Sequence, residues 1–442
     1  MVNRSKQFPL TVNLGSRSLK QGLDLLEQGD AIQRLVAASL GLDHQPADAA
    51  TVDIDRRHAN LDATSLRELC LLYEWPSGEW LTHPTRTPPF AFGCLPNLTK
   101  FVAKAARFMN THLFLRPTLT HLELCLIERP QAGQLAAALE AMPRLEVLAL
   151  SFSFPSPSDK LVMSTIHLPH LRELKIIDLT AYCENYISCL SFPITSIQTI
   201  DITCRPFKCG SRQKGEELQH LPMIMSRLAE CLTSPITTLS SRRREDVQLE
   251  LCAWTTDSPD RESRPHIRLA FAGCDDVADV EVFTTILDRI PTESVRTLYF
   301  GNVDIPGSPR ESWRYRRLPQ LSPVDHVKLL YRFSQVEDLK IDRLVAIPLA
   351  HALTLCYSYV EDDGSEEEDH SDEEACKDQA ILFPRLKKLT VSWAENNPDH
   401  CDQSKQKLRR QLMECQGKRE AEFDISIHVR PEEDPIHFIP HY

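Results

Sequence analysis

In this 442-residue chain, the groups of residues whose types and spacing come nearest to those of metal or phosphate sites stand in the middle third. Cys183 with Cys189, and Cys204 with Cys209, are close cysteine pairs, but neither pair has the spacing of the usual zinc knuckles. The stretch 210–215 begins and ends with glycine like a phosphate-binding loop, yet Glu216 follows it where lysine is required. The spacing therefore predicts neither a metal site nor a cofactor site.

Sequence motifs for catalysis are also missing. The chain contains no Gly-x-Ser-x-Gly turn, no His-Glu-x-x-His helix and no Gly-x-Gly-x-x-Gly loop. Its histidines are scattered along the chain rather than grouped. We therefore expect a protein that is not an enzyme and that has no catalytic residues.

The densest charge lies in Glu361–Glu374, which holds ten acidic and no basic residues. Such a block repels itself and buries little apolar area, so residues 359–379 are expected to form a disordered loop. Ser365 and Ser371 each precede three acidic residues, and flanks of that kind suit acidophilic kinases. The segment is therefore either a site of phosphorylation or a solvated spacer between two repeats.

A recurring phrase predicts the elements that must carry any binding residues. Pro-x-Leu-x-x-Leu-x-aliphatic occurs at Pro117–Leu124, Pro143–Leu150, Pro169–Ile176 and Pro384–Val391. Because residues two apart point to the same side of a strand, the last two apolar positions of each copy should face one core. The first leucine lies three residues earlier, out of phase with this alternation, which fits a bend after the proline.

Looser copies extend the array, and helical patterns lie between them. The looser copies are Leu66/Leu69/Leu71, Leu98/Phe101/Ala103, Ile197/Ile200/Ile202, Val295/Leu298/Phe300 and Val336/Leu339/Ile341. Between positions 119 and 197 the copies begin 26 residues apart, within the range of about 20–29 residues for leucine-rich repeats. Apolar residues at helical spacing near 135–142, 222–231 and 282–290 predict helices. The expected fold is α/β: an irregular, right-handed, leucine-rich-repeat-like solenoid of short parallel strands and helices.

Two regions depart from this array. Apolar residues alternate strictly at 247–251 and at 267–271, on either side of the turn-rich Thr255–Pro265, which predicts an inserted β-hairpin at about residues 245–272. Near the carboxyl end, Gln403–Arg419 is a basic helical stretch, and Phe423 to Val429 alternate as a capping strand. We therefore divide the chain into a solenoid, 1–358, an acidic loop, 359–379, and a last repeat with basic helix and capping strand, 380–442.

Residues that alternate with the buried positions predict a partner-binding surface on the inner curve of the solenoid. Their mixture of charged, small and aliphatic side chains is typical of surfaces that bind proteins. The predicted surface consists of Glu68, Cys70, His121, Glu123, Val147, Ala149, Ser151, Glu173, Lys175, Ile177, Thr199, Asp201, Thr203, Thr297, Tyr299, Asp338, Lys340, Lys388, Thr390 and Ser392. The alternative is that this curve is only solvated.

Composition limits the class of partner and the compartment. The net charge is −12, but ten of the 62 acidic residues lie in Glu361–Glu374, which leaves 52 acidic against 50 basic residues elsewhere. A nucleic-acid partner bound by bulk charge is therefore not expected. No signal peptide and no run of about 18 apolar residues is present, and the scattered cysteines fit buried thiols in a reducing compartment. We expect a monomer of the cytoplasm and/or nucleus that has no membrane partner and binds an unidentified protein.

The chain resembles the F-box proteins with irregular leucine-rich repeats that are abundant in mushroom-forming fungi. The match lies in Ser5–Leu14, which follows the pattern Ser-x-x-x-Pro-Leu-x-Val-x-Leu, and in the repeats from Leu145 to Ile176, with Leu168–Ile176 the most similar passage. It covers most of residues 1–350 at the level of pattern. The resemblance implies the substrate-recognition part of a ubiquitin-ligase receptor, in which an F-box would dock a Skp-type adaptor.

Two features depart from that family. The Asn or Cys expected eight residues after the first leucine is replaced by Ile127, Ser153, Leu179 and Arg205, so no asparagine ladder is expected. No Leu-Pro-x-Glu helix start precedes Ser5, and two explanations stay open: an upstream F-box outside this sequence, or a free-standing recognition module. A Skp-type adaptor is expected only in the first case. The other function left open is an F-box-less scaffold or nuclear regulator whose acidic loop binds basic partners.

Overall fold

The computed structural model describes residues 10–13, 32–38, 65–72, 95–106, 114–128, 132–154, 165–193, 196–205, 219–232, 234–242, 249–255, 264–271, 284–301, 329–342, 346, 348–352, 382–394, 398–417 and 423–430. The chain forms two compact units, Met1–Ile202 (unit 1) and Thr203–Tyr442 (unit 2). Strands, most of them paired in parallel, alternate with a few helices. The predicted α/β class is therefore confirmed.

The strands and helices have the following bounds. The strands are β1 (Leu10–Asn13), β2 (Ile32–Ala38), β3 (Glu68–Leu72), β4 (Lys100–Ala106), β5 (His121–Glu128), β6 (Val147–Phe154), β7 (Ile166–His167), β8 (Glu173–Leu179), β9 (Leu190–Ser191), β10 (Thr199–Arg205), β11 (Thr238–Arg242), β12 (Leu249–Trp254), β13 (Ile267–Phe271), β14 (Thr297–Phe300), β15 (Asp338–Asp342), β16 (Lys388–Ala394) and β17 (Asp424–Arg430). The helices are α1 (Ala132–Glu140), α2 (Thr180–Cys189), α3 (Leu221–Glu230) and α4 (Pro398–Gly417).

In unit 1 the strands follow one another across the sheet nearly in chain order. The order is β1-β2-β3-β4-β5-β6-β8-β10, and each neighbouring pair from β1 to β8 is parallel. The two-residue strands β7 and β9 form a separate parallel pair. Parallel neighbours need a crossover connection between them, so each strand of this sheet belongs to its own structural repeat.

The repeated phrase folds as a tight turn that leads into each strand. The amide of the first leucine donates to the carbonyl three residues earlier, as in Leu145 to Met142 (3.2 Å) and Leu171 to Leu168 (3.2 Å). The proline lies second in the turn, where its fixed φ is favoured. The residue before the proline is also buried in three copies, as Met142, Leu168 and Phe383, whereas Arg116 is partly exposed. The same turn precedes β4, β5, β14, β15 and β16.

A ladder of forked hydrogen bonds joins successive turns. The carbonyl of Thr120 accepts the amides of Glu146 and Val147, and the carbonyl of Glu146 accepts those of Arg172 and Glu173, at 2.7–3.0 Å. The equivalent pairs repeat from residue 67 to residue 199 in unit 1 and from residue 237 to residue 388 in unit 2. Each carbonyl has two lone pairs and can accept both donors. The backbone thus ties the turns together at the start of the strands.

The core of each unit is built from the positions that the alternation predicted. In unit 1 one row of side chains is Leu69, Phe101, Leu122, Leu148 and Leu174, and the next row is Leu71, Ala103, Leu124, Leu150 and Ile176, all at most 2% exposed. In unit 2 the looser copies around Leu298 and Leu339 and the full copy around Leu389 are buried in the same manner. Two apolar positions per strand, two residues apart, therefore build the core of each unit.

Helices α1 and α3 lie in two of the three segments predicted to be helical, residues 284–287 of the third segment are also helical, and α2 lies in a segment that was not predicted. Helix α1 buries Leu135 and Leu139, and α3, with a proline in its first turn, buries Ile224 and Leu228, as the helical spacing predicted. Helix α2 was not predicted, because its sequence, Thr-Ala-Tyr-Cys-Glu-Asn-Tyr-Ile-Ser-Cys, has a weak apolar stripe. It nevertheless buries Thr180, Cys183, Tyr186 and Ile187.

Unit 2 contains the predicted hairpin and an additional strand. Strands β12 and β13 pair antiparallel, as the alternating pattern predicted, and β11 pairs antiparallel with β12 on one side and parallel with β14 on the other. In the sheet the hairpin lies on one side of β11 and β14 lies on the other, whereas along the chain the hairpin is inserted between β11 and β14. The series then continues through β15, β16 and β17.

After β16 the described residues contain one helix and one strand. Helix α4 covers most of the predicted basic stretch and buries Leu408 and Leu412. Strand β17 pairs parallel with β16 and follows Phe423, which is buried. The acidic segment 359–379, with Ser365 and Ser371, lies outside the described residues.

Candidate functional site

The predicted surface residues of unit 1 lie on the face of its sheet opposite the leucine rows. Strand register aligns them in three rows, which are His121–Val147–Glu173, Glu123–Ala149–Lys175 and Cys125–Ser151–Ile177, and the last row includes Cys125, which was not predicted as a surface residue. We call the face formed by these residues, together with Glu68, Cys70, Lys100, Val102 and Lys104, the unit 1 polar face. Side chains drawn from separate repeats are thus brought into one plane.

Two lysines on β4 belong to this face and were missed in the sequence. Lys104 Nζ lies 3.4 Å from Glu123 Oε1, with both side chains partly exposed, while Lys100 is the Cα partner of His121. The offsets that selected Val147 and Ser151 on β6 also select these lysines, but their copy of the phrase is a weak one because Ala103 replaces the last large aliphatic residue. The ion pair itself contributes little, since exposed pairs are worth about 0–1 kcal/mol.

His121 is half-buried in the middle of the unit 1 polar face. Burial of the imidazole, followed by the nearby ammonium of Lys100, lowers the pKa of His121 below the ordinary value of 6.5. The carboxylates of Glu123, Glu173 and Glu68 act in the opposite direction without outweighing them. The imidazole is therefore neutral at pH 7 and can both donate and accept a hydrogen bond.

The middle strand of the three, β6, carries the partly exposed side chains Val147, Ala149 and Ser151 on this face. Strand register places them between His121, Glu123 and Cys125 of β5 and Glu173, Lys175 and Ile177 of β8.

The remaining predicted residues of unit 1 lie beyond β8. Thr199 and Asp201 belong to β10, which neighbours β8 in the sheet, and both are half-buried. The amide of Thr199 donates to the carbonyl of Arg172 at 3.2 Å, so β10 continues the same ladder. The polar side chains of the unit 1 polar face therefore continue onto β10.

The predicted residues of unit 2 are also aligned, but several of them are covered. Register forms the rows Thr297–Asp338–Lys388 and Tyr299–Lys340–Thr390, with Ser392 opposite Asp342. The covered residues, each less than a tenth exposed, are Thr203, Thr297, Tyr299, Thr390 and Ser392. Side chains with this little exposure offer almost no surface to a partner, which leaves Asp338, Lys340 and Lys388 as the accessible members.

A buried aromatic cluster accounts for part of this covering. Tyr299 packs with Trp254 and Cys252 of the inserted strand β12 on the face opposite the leucines. Lys340 Nζ lies 3.0 Å from the Tyr299 hydroxyl and 4.6 Å from the centre of the ring. Burial alone would lower the pKa of Lys340, but the Tyr299 hydroxyl and the Asp338 carboxylate outweigh it, and the pKa is raised. Lys340 is therefore protonated at neutral pH, and its ammonium group contacts Tyr299 and Asp338.

A buried ion pair on the inserted hairpin was not predicted. Arg268 Nε lies 2.5 Å from Glu250 Oε1, and the Glu250 side chain is completely buried. Each of the two strands predicted to pair contains one charged residue. The apolar alternation predicted the hairpin but did not indicate that these two charges meet. The pair lies on the same face as Cys252, since residues 250 and 252 share one side of β12.

Metal-ligating side chains are not grouped within the described residues. No group of three or more His, Cys, Asp or Glu side chains among them is arranged to hold a metal ion. Cys183 and Cys204 are buried, Cys189 is half-buried, and Cys209 lies outside the described residues. Cys252 is buried, as expected of a core thiol, whereas Cys70 and Cys125 are half-buried on the unit 1 polar face.

Comparisons with known proteins do not identify the chain. Its sequence matches no protein-family model and no curated protein. Within the described part of the chain, no helix is long and apolar enough to cross a membrane. The function must therefore be inferred from the chemistry of the faces that the strands present.

Proposed function

We propose that this chain is a non-catalytic protein-interaction module whose unit 1 polar face binds a protein partner. The observation that carries the proposal is the register of β3 to β8, which places charged, small and aliphatic side chains from successive repeats in one continuous plane. Such mixed surfaces are typical of protein recognition.

We further propose that the strands form an irregular, right-handed, leucine-rich-repeat-like solenoid. Three observations support this architecture: parallel strands adjacent in chain order, the recurring proline turn, and the forked ladder between equivalent carbonyls. Hydroxyl groups add to the ladder, since Thr118 Oγ1 donates to Leu98 O at 2.6 Å and Ser196 Oγ donates to Leu171 O at 3.1 Å. These bonds tie neighbouring turns in a chain that lacks the family's asparagine positions.

The biological role that we propose is substrate recognition in an F-box-type ubiquitin-ligase receptor. Its support is the resemblance of Ser5–Leu14 and of the repeats from Leu145 to Ile176 to that family, together with β1 at Leu10–Asn13, which pairs with the next strand of the series. In this role the partner on the polar face is the substrate, and a Skp-type adaptor would bind an F-box outside this sequence.

Affinity capture from the native cell with a charge-reversed variant tests this function. Glu173→Lys combined with Lys175→Glu reverses two charges of the face without changing its net charge, and should release the partner. The control is Arg144→Glu, because Arg144 is exposed in a turn and lies off the face. Mass spectrometry that recovers the same proteins with the wild-type chain and the double variant would contradict the proposal. Recovery of a Skp-type adaptor would support the ligase role.

The second candidate function is a scaffold or nuclear regulator that binds basic proteins. The observation that favours it is the acidic segment Glu361–Glu374, which contains ten carboxylates and no basic residue. A dense negative segment attracts basic partners over several ångströms and in a salt-dependent manner.

A further inference from the structure

Strand β17 is the last strand in the sheet order, and among the described strands only β16 is bonded to it. The two strands pair over seven consecutive positions, from Lys388 with Asp424 to Ala394 with Arg430, without a register shift. A long, regular edge strand is a template on which a further strand can pair. Strand β17 therefore offers a second edge for hydrogen bonding.

The first strand in the sheet order, β1, lacks these properties. It has four residues, and its register with β2 shifts between Leu10 and Thr11. Short edge strands and bulges are features that prevent edge pairing. Strand β17 has no such shift, and its sequence, Asp-Ile-Ser-Ile-His-Val-Arg, contains neither lysine nor proline. Of these two strands, β17 is the one suited to regular pairing.

The core beside β17 is incompletely covered. Leu389 and Val391 of β16 are fully buried, whereas their register partners Ile425 and Ile427 are partly exposed. The intervening Ser426 lies on the other side of the strand, where its Oγ is 3.3 Å from Thr390 Oγ. A further strand beside β17 would cover the two isoleucines.

The backbone shows which residues would bond that further strand. The amide of Asp424 donates to the carbonyl of Lys387 at 2.8 Å, so the N–H and C=O groups of Asp424 point toward β16. Successive residues of a strand direct these groups to opposite edges. The backbone groups of Ile425, Ile427 and Val429 therefore point away from β16.

These three residues match themselves in an antiparallel arrangement. A two-fold axis at Ile427 pairs Ile427 with its own copy and Ile425 with Val429 of the second copy. Each of these pairs can exchange two hydrogen bonds, because the backbone groups of both members face the shared edge. All the paired residues are aliphatic, so the core sides of the two strands also match.

The charges of β17 match in the same register. Asp424 of each copy lies opposite Arg430 of the other, so opposite charges meet at both ends of the strand pair. A slip of one residue would set apolar residues opposite polar ones. A slip of two residues would separate Asp424 from Arg430 and would leave backbone groups at both ends unpaired.

We propose that two copies of this chain associate through their β17 strands, antiparallel and about a two-fold axis at Ile427. The occupant of the edge is a second copy because the strand is complementary to itself in its hydrogen bonds, its aliphatic residues and its charges. The dimer differs from the monomer expected from the sequence. It does not depend on the proposed function, since β17 belongs to unit 2 and the polar face belongs to unit 1.

Light scattering of the full chain during size-exclusion chromatography tests the dimer. The wild type should have twice the mass of one chain. Asp424→Arg sets arginines opposite each other at both ends and should raise the dimer dissociation constant about tenfold or more, because like charges directly opposite are destabilising. Arg430→Asp should act equally through opposed carboxylates. A monomeric wild type, or variants that dimerise as well as the wild type, would overturn the proposal.

The control is Glu414→Arg, which changes the charge by the same amount as Asp424→Arg. Glu414 is exposed on α4 and lies away from the strand edge. This variant should dimerise like the wild type. Loss of its dimer equal to that of Asp424→Arg would mean that net charge, rather than the β17 edge, governs association, and would overturn the proposal.

Mixing the two single variants tests the register and also reports whether they are folded. When Asp424→Arg meets Arg430→Asp, the introduced arginine lies opposite the introduced aspartate at one end, and the native pair remains at the other. The mixture should therefore form a heterodimer with the affinity of the wild type, which native mass spectrometry of differently tagged chains measures. Failure of the mixture to associate would overturn the proposed register.

Hydrogen exchange distinguishes a second copy from other coverings of the same edge. The amides of Ile425 and Ile427 should exchange quickly in dilute, monomeric samples and slowly in the dimer. Slow exchange in the monomer would show that another part of this chain covers the edge, and would overturn the proposal.

Discussion

At the scale of single residues, His121 makes the stability of unit 1 depend on pH. Its folded pKa is lowered by burial and by Lys100, against Glu123, Glu173 and Glu68, while the unfolded value is 6.5. In the pH range between these two values the unfolded chain binds more protons than the folded chain. The stability associated with a neutral His121 is therefore fully present above pH 6.5 and is lost as the pH falls through the folded pKa.

Replacing His121 with Asn should remove this contribution to the pH dependence. Urea unfolding of wild type and variant between pH 8 and pH 5 should show the wild type losing stability relative to His121→Asn on acidification. Proton NMR of the imidazole would give the pKa directly. A pKa at or above 6.5, or parallel stability curves, would contradict the expectation.

Also at the residue scale, the buried pair Glu250–Arg268 makes the inserted hairpin sensitive to single substitutions. Arg268→Met leaves the fully buried Glu250 carboxylate without this guanidinium and should destabilise unit 2 by about 3–5 kcal/mol. The double variant Glu250→Leu/Arg268→Met removes both charges and should recover most of the loss. Hydrogen exchange of β12 and β13 measures both, and a double variant no more stable than the single one would show that the pair is not the cause.

At the scale of elements, the apolar pattern predicted the parallel strands well because it records burial directly. Positions such as Leu148 and Leu150 are buried on one side wherever the phrase occurs. Strand β11 was missed because Ser241 stands where a large apolar residue was expected, although Ser241 is buried. Its signal was Ile236 and Leu239, three residues apart as in the other copies. Polar residues enter a core when neighbouring strands cover them, and a local pattern does not report those neighbours.

The turn before each strand should depend on its leucine more than on its proline. Leu145→Ala removes a fully buried side chain and should cost about 2–5 kcal/mol. Pro143→Ala keeps the hydrogen bond from the Leu145 amide to the Met142 carbonyl. It should lower the free energy of unfolding by only about 0.4–1 kcal/mol, because it increases the conformational entropy of the unfolded chain. Urea midpoints of unit 1, followed by hydrogen exchange of β6, test this order. A proline variant as unstable as the leucine variant would mean that the turn, rather than burial, fixes the strand.

At the scale of the whole molecule, the same offsets predicted two different surfaces. In unit 1 they selected partly exposed residues such as Glu173 and Lys175, whereas in unit 2 they also selected Tyr299, which is only 4% exposed. The difference comes from Trp254 and Cys252 on the inserted strand β12, which pack with Tyr299. An insertion distant in the sequence decides this burial, so the repeat pattern alone could not predict it.

The overall charge of the chain separates the two proposed functions. Removing Glu361–Glu374 deletes ten acidic residues and changes the net charge from −12 to −2. If the unit 1 polar face selects the partner, the proteins lost by Glu173→Lys/Lys175→Glu should still be captured by the deletion variant, because their contacts lie on β5, β6 and β8. If the chain is a scaffold for basic proteins, capture should collapse in the deletion variant and weaken with added salt in the wild type. Quantitative mass spectrometry of both variants at two salt concentrations compares these outcomes, and earlier elution of the deletion variant from an anion exchanger provides the control for its altered charge. If partners are lost from the deletion variant but are still captured by the charge-reversed variant, the scaffold function is supported and substrate recognition by the unit 1 polar face is contradicted.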